Sequence, residues 1–236
     1  MAAQQFSFGP VYCETLSAVP GSIPVEPLNT MSNGVIVLFG LAGLYFVVKR
    51  APKAVDLYLL CALLVATGIG SGIWHGLRDG DALFWEVRSG LFFLFAFVFC
   101  WARRLWSYWG AVPALLAFNY GYDQSQSISI MGITGRWVAI TPLVVAAGTL
   151  MVVQTYYRLR RAALLGAMAI CLALIAVTFR TLDLAVCNTL PFGTHFLWHS
   201  FLSAGGFMGV LTLIALPAKS GNWLSPKGAV QPGIAE

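Results

Sequence analysis

Charge is scarce in this chain. Of its 236 residues, 10% are charged and 58% are hydrophobic. A water-soluble domain of this size needs far more polar surface, so that class is excluded and the bilayer is implied. The formal charge of +5 is small, and it sits at the ends of apolar stretches rather than in a patch. That leaves no basic surface for nucleic acid. The five cysteines are too few and too scattered for a disulfide scaffold. No internal repeat and no linker divides the chain, which removes support for a transporter built from duplicated halves. Met1 to Val11 lacks the basic start of a cleaved signal peptide. Neither end shows a lipidation or retention signal.

Long apolar runs dominate what remains. Seven can be drawn, at 33–48, 55–76, 82–102, 105–120, 132–157, 162–180 and 193–217. Most are long enough to cross about 30 Å of hydrocarbon. The expected fold is an all-α integral membrane bundle of seven transmembrane helices. Residues 1–32 form an extramembrane segment, 33–217 the bundle, and 218–236 a disordered tail rich in glycine and proline. Asp123 to Ser129 is the one clearly polar internal stretch. Ten of the 14 lysines and arginines fall after odd-numbered helices: Lys49, Arg50, Lys53, Arg103, Arg104, Arg158, Arg160, Arg161, Lys219 and Lys227. The other four are Arg78, Arg88, Arg136 and Arg180. The positive-inside rule then puts the N-terminus outside and the C-terminus in the cytoplasm.

Histidine is rarer still. The three are His75, His195 and His199, all in or at the ends of apolar segments. In the expected topology His75 ends the second helix and the other two begin the seventh, so all three share the outer level. His195 and His199 are four apart and lie on one helix face. A lone histidine near a helix end commonly just hydrogen-bonds across the bundle. Three at one level point to a shared ion, and three imidazoles with one open position suit catalytic zinc. Ser71 lies one turn from His75, as a polar partner or a helix-packing serine. Glu86 lies one turn into the third helix, where it either serves the site or pairs with Arg88.

With those residues in place, the chain resembles the alkaline ceramidase family, within the seven-helix membrane hydrolases that include the adiponectin receptors. Four patches carry the resemblance: Tyr12-Cys13-Glu14 followed by Glu26 to Asn33; Ser71-Gly-Ile-Trp-His75; the acidic Glu86; and Arg180 to Cys187 followed by Pro191 to His199. The resemblance implies a zinc held by His75, His195 and His199, with water in the fourth position. It implies that Ser71 holds the developing oxyanion and that an acid carries the proton. It also supports pairing of Cys13 with Cys187, both on the outer side. The implied substrate is a membrane lipid such as ceramide. The implied location is a bacterial inner membrane, or the endoplasmic reticulum or Golgi of a eukaryote.

This chain departs from the family in two places. Where the family has aspartate there is Glu86, which does the same work unless Asp79 or Asp81 supplies the acid. Eukaryotic members bind calcium before the first helix, but Val11 and Leu16 stand where an acid and an asparagine belong. Glu14 and Glu26 remain, so calcium is expected to bind weakly or not at all. Those two acids otherwise cap helices or bind Arg180. Asp183 either accepts the second N–H of a ligating histidine or pairs with Arg180. Cys61, Cys100 and Cys171 read as apolar fillers. Trp85, Trp101, Trp106, Trp109 and Trp137 read as interfacial belt residues. Trp74 and Trp198, beside the histidines, read as core packing, with shaping of the pocket as the alternative.

The expected activity is hydrolysis of a lipid amide, ceramide or a relative, to a long-chain base and a fatty acid. One alternative is hydrolysis of another lipid amide or ester. An alternative of another class is a heptahelical receptor or sensor with a structural zinc.

Overall fold

The structure, a computed structural model, describes residues 9–125 and 136–216. The expected tail 218–236, with Lys219 and Lys227, lies outside the described residues, as do residues 126–129 of the polar loop and the side chains of Arg136 and Trp137. Among the described residues every regular element is helical. They are α1 (Cys13–Ser17), α2 (Pro27–Arg50), α3 (Val55–Leu77), α4 (Gly80–Ser125), α5 (Arg136–Tyr156), α6 (Arg160–Leu182) and α7 (His195–Ala215), with a 3-10 turn at Asp183–Ala185 before α7.

Six of these helices are long and apolar enough to cross a membrane. The fourth is two helices in one. At Ser107 the backbone takes φ 61° and ψ −170°, which no α-helix tolerates. Along a continuous helix Phe95 and Phe118 would lie about 34 Å apart. Instead their ring centroids are 5.5 Å apart, and Phe95 is equally close to Tyr122. The chain therefore folds back at Ser107, and 80–106 and 108–125 run antiparallel. The third and fourth apolar runs of the sequence are these two limbs.

Sequential helices pack side by side, and α7 closes the ring against α2, α3 and α6. Leu38, Ile69, Phe92, Leu116, Leu150 and Leu164 face outward from the bundle. An apolar exterior on that scale is what lipid solvates and water does not. This is the architecture of a multi-pass membrane protein. The tightest core lies toward the Ser107 end, where Leu57, Leu60, Trp101, Ala102, Leu105 and Leu213 pack together.

Three local devices set up the opposite end. The last carbonyls of α3 would be orphaned, as at any helix C-terminus. Val25 N–H donates to Gly76 O (2.9 Å) and Glu26 N–H to His75 O (3.1 Å), which lays the segment before α2 across the end of α3. The first N–H groups of α2 are orphans too. Glu14 accepts them, from Leu28 (2.6 Å) and Asn29 (2.8 Å), while Pro27 at the first position has none to lose. At α7, Asp183 Oδ1 accepts Thr194 N–H (2.7 Å) and His195 N–H (2.9 Å). Gly193 permits that approach: its φ is +64°, and a Cβ there would sit 2.1 Å from Asp183 Oδ1.

Candidate metal centre and the cavity beside it

The structure brings together the three histidines. His75, His195 and His199 are all buried, and each offers a ligand atom within 4.8 Å of the others'. Such a group is compatible with zinc without identifying it.

The outer nitrogens determine where the lone pairs point. His75 Nδ1 faces a carboxylate oxygen of Glu26, so it carries the proton. His199 Nδ1 lies 2.7 Å from the Ser32 hydroxyl. That hydroxyl has one proton, and it donates it to Asn29 O (2.8 Å). Its oxygen therefore accepts, and His199 Nδ1 is the donor. In both rings Nε2 is left as the acceptor, and neither Nε2 has a hydrogen-bond partner. Two buried, partnerless lone pairs aimed into one cluster are costly unless something fills it. These donors fit a borderline-soft divalent metal.

His195 is held differently. The phenol ring of Tyr12 stacks on it with centroids 3.9 Å apart. The Arg180 guanidinium reaches its edge, 2.9 Å from Nδ1 and 3.3 Å from Nε2, and also donates to the Tyr12 hydroxyl (3.2 Å). Burial pushes the Tyr12 phenol up to about 12, against the pull of Arg180. A guanidinium only donates. Arg180 and a metal ion would thus compete for the same ring.

Glu26 is the carboxylate that organises the site. It is fully buried and receives Thr15 Oγ1, Asn29 Nδ2 (3.1 Å) and the His75 ring, with Arg78 Nη1 at 3.1 Å. Burial raises its carboxyl above the ordinary value, and the hydrogen bond from Thr15, the charge of Arg78 and the hydrogen bond from Asn29 oppose that. The sequence reading gave the histidine-orienting role to Asp183, with pairing to Arg180 as the alternative. Neither holds. Both Asp183 oxygens accept backbone N–H groups, Oδ1 at the start of α7 and Oδ2 from Cys13 (3.0 Å). Asp183 positions the helix that carries two histidines, and Glu26 takes the ring N–H. Nor does Glu26 or Glu14 bind Arg180: Glu14 caps α2, as one reading of it held. Burial raises Glu14 as well, against the N–H bonds from Asn29 and Leu28.

Ser71 and Glu86 meet. The Ser71 hydroxyl donates to Glu86 Oε1 at 3.0 Å. Gly70 makes this possible, because a Cβ there would sit 3.2 Å from the Glu86 backbone nitrogen. Arg88 does not pair with Glu86; its guanidinium lies over the Phe84 ring. Asp79 and Asp81 are exposed, and Asp79 accepts the N–H groups of Asp81 and Ala82 at the start of α4. Of the three acids considered, only Glu86 faces the cavity.

That cavity has a volume of about 210 Å³. Ser71, Glu86, Arg180, Trp198 and His199 line one end of it, and its walls are otherwise almost wholly apolar, running to Phe97 and Trp101. Trp198 is therefore a wall residue as well as a packed one, while Trp74 lies under the Arg78 guanidinium (4.1 Å). Cys13 and Cys187 are joined in a disulfide that ties α1 to the segment before α7. Cys61 and Cys100 are buried, but Cys171 turns outward. Trp85 and Trp109 are exposed as belt residues would be, whereas Trp101 is 1% exposed.

Glu26, Ser32, Tyr12 and Arg180 as direct partners of the histidines were not read from the sequence. All four fall within the patches that carry the family resemblance, but no spacing in the sequence tied them to the rings. No family model matches this chain, and no curated protein matches it.

Proposed function

We propose that the protein is a zinc-dependent intramembrane amidase that hydrolyses ceramide or a related N-acyl lipid to a long-chain base and a fatty acid. The observation that carries this reading is the juxtaposition of three buried histidines, two with inward lone pairs, and a Ser71–Glu86 pair at the end of an apolar cavity. Lipid-chain binding, a metal and a proton carrier meet at one place. The motif resemblance to alkaline ceramidases supports the same reading.

His75, His195 and His199 would hold the metal. A zinc ion there supplies Lewis-acid polarisation of the amide carbonyl and a water acidic enough to lose a proton near neutral pH. The chain's own residues do the rest. Glu26 and Ser32 hold two of the rings in one tautomer. The cavity takes the acyl chain and keeps bulk water from the scissile bond. Glu86 accepts the proton of the attacking water and passes it to the leaving nitrogen as the C–N bond breaks. Ser71 has one proton, which here goes to Glu86. Once Glu86 is protonated that bond is no longer needed, and the hydroxyl turns to the oxyanion. The products carry one water between them: its hydroxyl on the acyl carbon, its proton on the amine.

The sensor reading needs a closed metal site with a fourth protein ligand. Cys187 is spent in the disulfide and Asp183 on backbone N–H groups, which favours an open site. The lysine and arginine bias supports an orientation with the histidine end outside and the Ser107 end in the cytoplasm.

The test is metal content and hydrolysis measured together, on wild type and His199→Ala in detergent with fluorescent ceramide. Near-stoichiometric zinc and fatty-acid release, both lost in the variant, is the expected result. Zinc without cleavage of ceramide or other N-acyl lipids sinks the amidase. A folded wild type that binds no zinc sinks the metal centre.

A further inference from the structure

The cavity wall on α4 is a stripe that runs through Glu86, Gly90, Leu94, Phe97 and Trp101, with Val87 and Phe93 beside it. The spacing of three or four residues keeps the stripe on one face. Glu86 is at the reacting end through its bond with Ser71. Trp101 is the cavity residue furthest along α4 from it. Beyond Trp101 there is no space: Ala102, Leu105, Leu57, Leu60 and Leu213 form the packed core.

Trp101 is not a mobile stopper. Its Nε1–H donates to Thr155 Oγ1 (2.9 Å), and that hydroxyl donates to Met151 O (2.7 Å). Its six-membered ring lies against Gly166 of α6, where a Cβ would come within 2.7 Å of it. On the cavity side Phe97 packs at 5.4 Å between centroids. Three helices therefore clamp an indole at the far end of the α4 wall of the cavity.

We infer that Trp101 is the floor that sets the length of acyl chain the cavity accepts. This rests on the proposed lipid-amide reading of the site. Fifteen residues of helix separate Glu86 from Trp101, a rise of about 22 Å. An extended alkyl chain of ~1.5 Å C–C bonds at tetrahedral angles advances roughly 1.25 Å per carbon. The α4 wall from the reacting end to the indole is thus about as long as an extended chain of 18 carbons. Shorter chains leave apolar wall uncovered, and longer ones must buckle or stay outside. The ligand class is a single unbranched long acyl chain.

Two readouts test this independently of each other. The first is thermal stabilisation of the purified protein by saturated fatty acids of 10 to 24 carbons, at fixed mole fraction in the micelle. Stabilisation peaks near 18 carbons in the wild type and toward 22 or more in Trp101→Ala. In Leu94→Trp, about 12 Å from Glu86 along the helix, the peak falls to near ten. The second is hydrolysis of N-acyl lipids of the same lengths, where the Trp101→Ala rate ratio of 24- to 16-carbon substrate rises about tenfold or more. Trp101→Leu serves if the alanine variant does not fold. A length profile without a peak, or one that neither Trp101 nor Leu94 moves, overturns the floor. Length-dependent binding with no hydrolysis by any variant overturns the amidase reading and leaves the floor standing.

Discussion

The bundle buries polar clusters at both ends, and they are built to opposite plans. At the Ser107 end, Arg104 is almost fully buried yet well supplied: Nε donates to Leu213 O (3.1 Å), and Nη1 to Asp56 (2.6 Å) and Cys100 O (3.1 Å). Arg103 adds a second bond to Asp56 (2.7 Å) and reaches Tyr108 across the turn (2.9 Å). Arg158 donates to the carbonyls of Arg104 and Leu105, where the fold-back frees them. Among the described residues the side-chain atom left over here is Arg103 Nε, a donor. At the histidine end the ring atoms left over are His75 Nε2 and His199 Nε2, both acceptors. A spare N–H donor cannot ligate a metal cation and a spare lone pair can. Buried polarity that saturates itself braces a fold, while buried polarity that stops short of saturation on one face marks a site.

The sharpest break between the two ends comes from one variant at each. His75→Ala is expected to abolish zinc binding and cut lipid-amide hydrolysis by about a thousandfold or more, with a folded protein by circular dichroism. Arg104→Met is expected to keep zinc stoichiometry and to lower stability by about 3 kcal/mol, because Asp56 and two carbonyls lose a buried partner. Denaturation in mixed micelles and metal analysis separate these outcomes. If Arg104→Met loses the metal, the two ends are not independent.

Ser71→Ala should fall next, by about a hundredfold in kcat with metal content unchanged, since the developing oxyanion loses a donor and Glu86 its resting hydrogen bond, while no ring contact is touched. A fall in zinc content instead would make Ser71 a packing residue. Glu26→Gln is a smaller and different lesion. It should weaken zinc about 10- to 100-fold by loosening the His75 ring, which competition with a chelator reads directly. An unchanged affinity would return Glu26 to a purely structural role.

The smallest effect is a pH slope. Burial raises Glu14 above its ordinary 4.5, so the folded state holds its proton more tightly than the unfolded one. Stability from this group is complete below that ordinary value and declines as pH rises through the raised one. The thermal midpoint in detergent should therefore lose part of its downward slope above pH 4.5 in Glu14→Gln. A variant with the same slope as wild type places the titration elsewhere.

Legibility followed distance along the chain. His195 and His199 were readable as a pair because one helical turn relates them, and His75 joined them through topology alone. The histidine group was thus legible in the sequence alone. Its supports were not, because Glu26 meets His75 across 49 positions and Asp183 meets Cys13 across 170. Asp183 misled for the same reason: three residues from Arg180 it looked like a pair, but the nearby start of α7 offered two N–H groups instead. Trp101, flanked by Arg103 and Arg104, had the profile of a belt residue. Hydropathy cannot tell a tryptophan at the interface from one turned inward at the same depth. The bond to Thr155 and the contact with Gly166 made that choice.

By itself the sequence determined an all-helical membrane bundle and a triad of histidines at one level. Apolar run length and the 3.6-residue period are local quantities, and a bilayer leaves a chain little choice about them. Only the tertiary structure decided which carboxylate orients which ring, which lone pairs stay free, which acid faces the cavity and where the cavity stops. Those are outcomes of competition among side chains far apart in sequence, settled by which helix ends and which faces come within hydrogen-bonding reach.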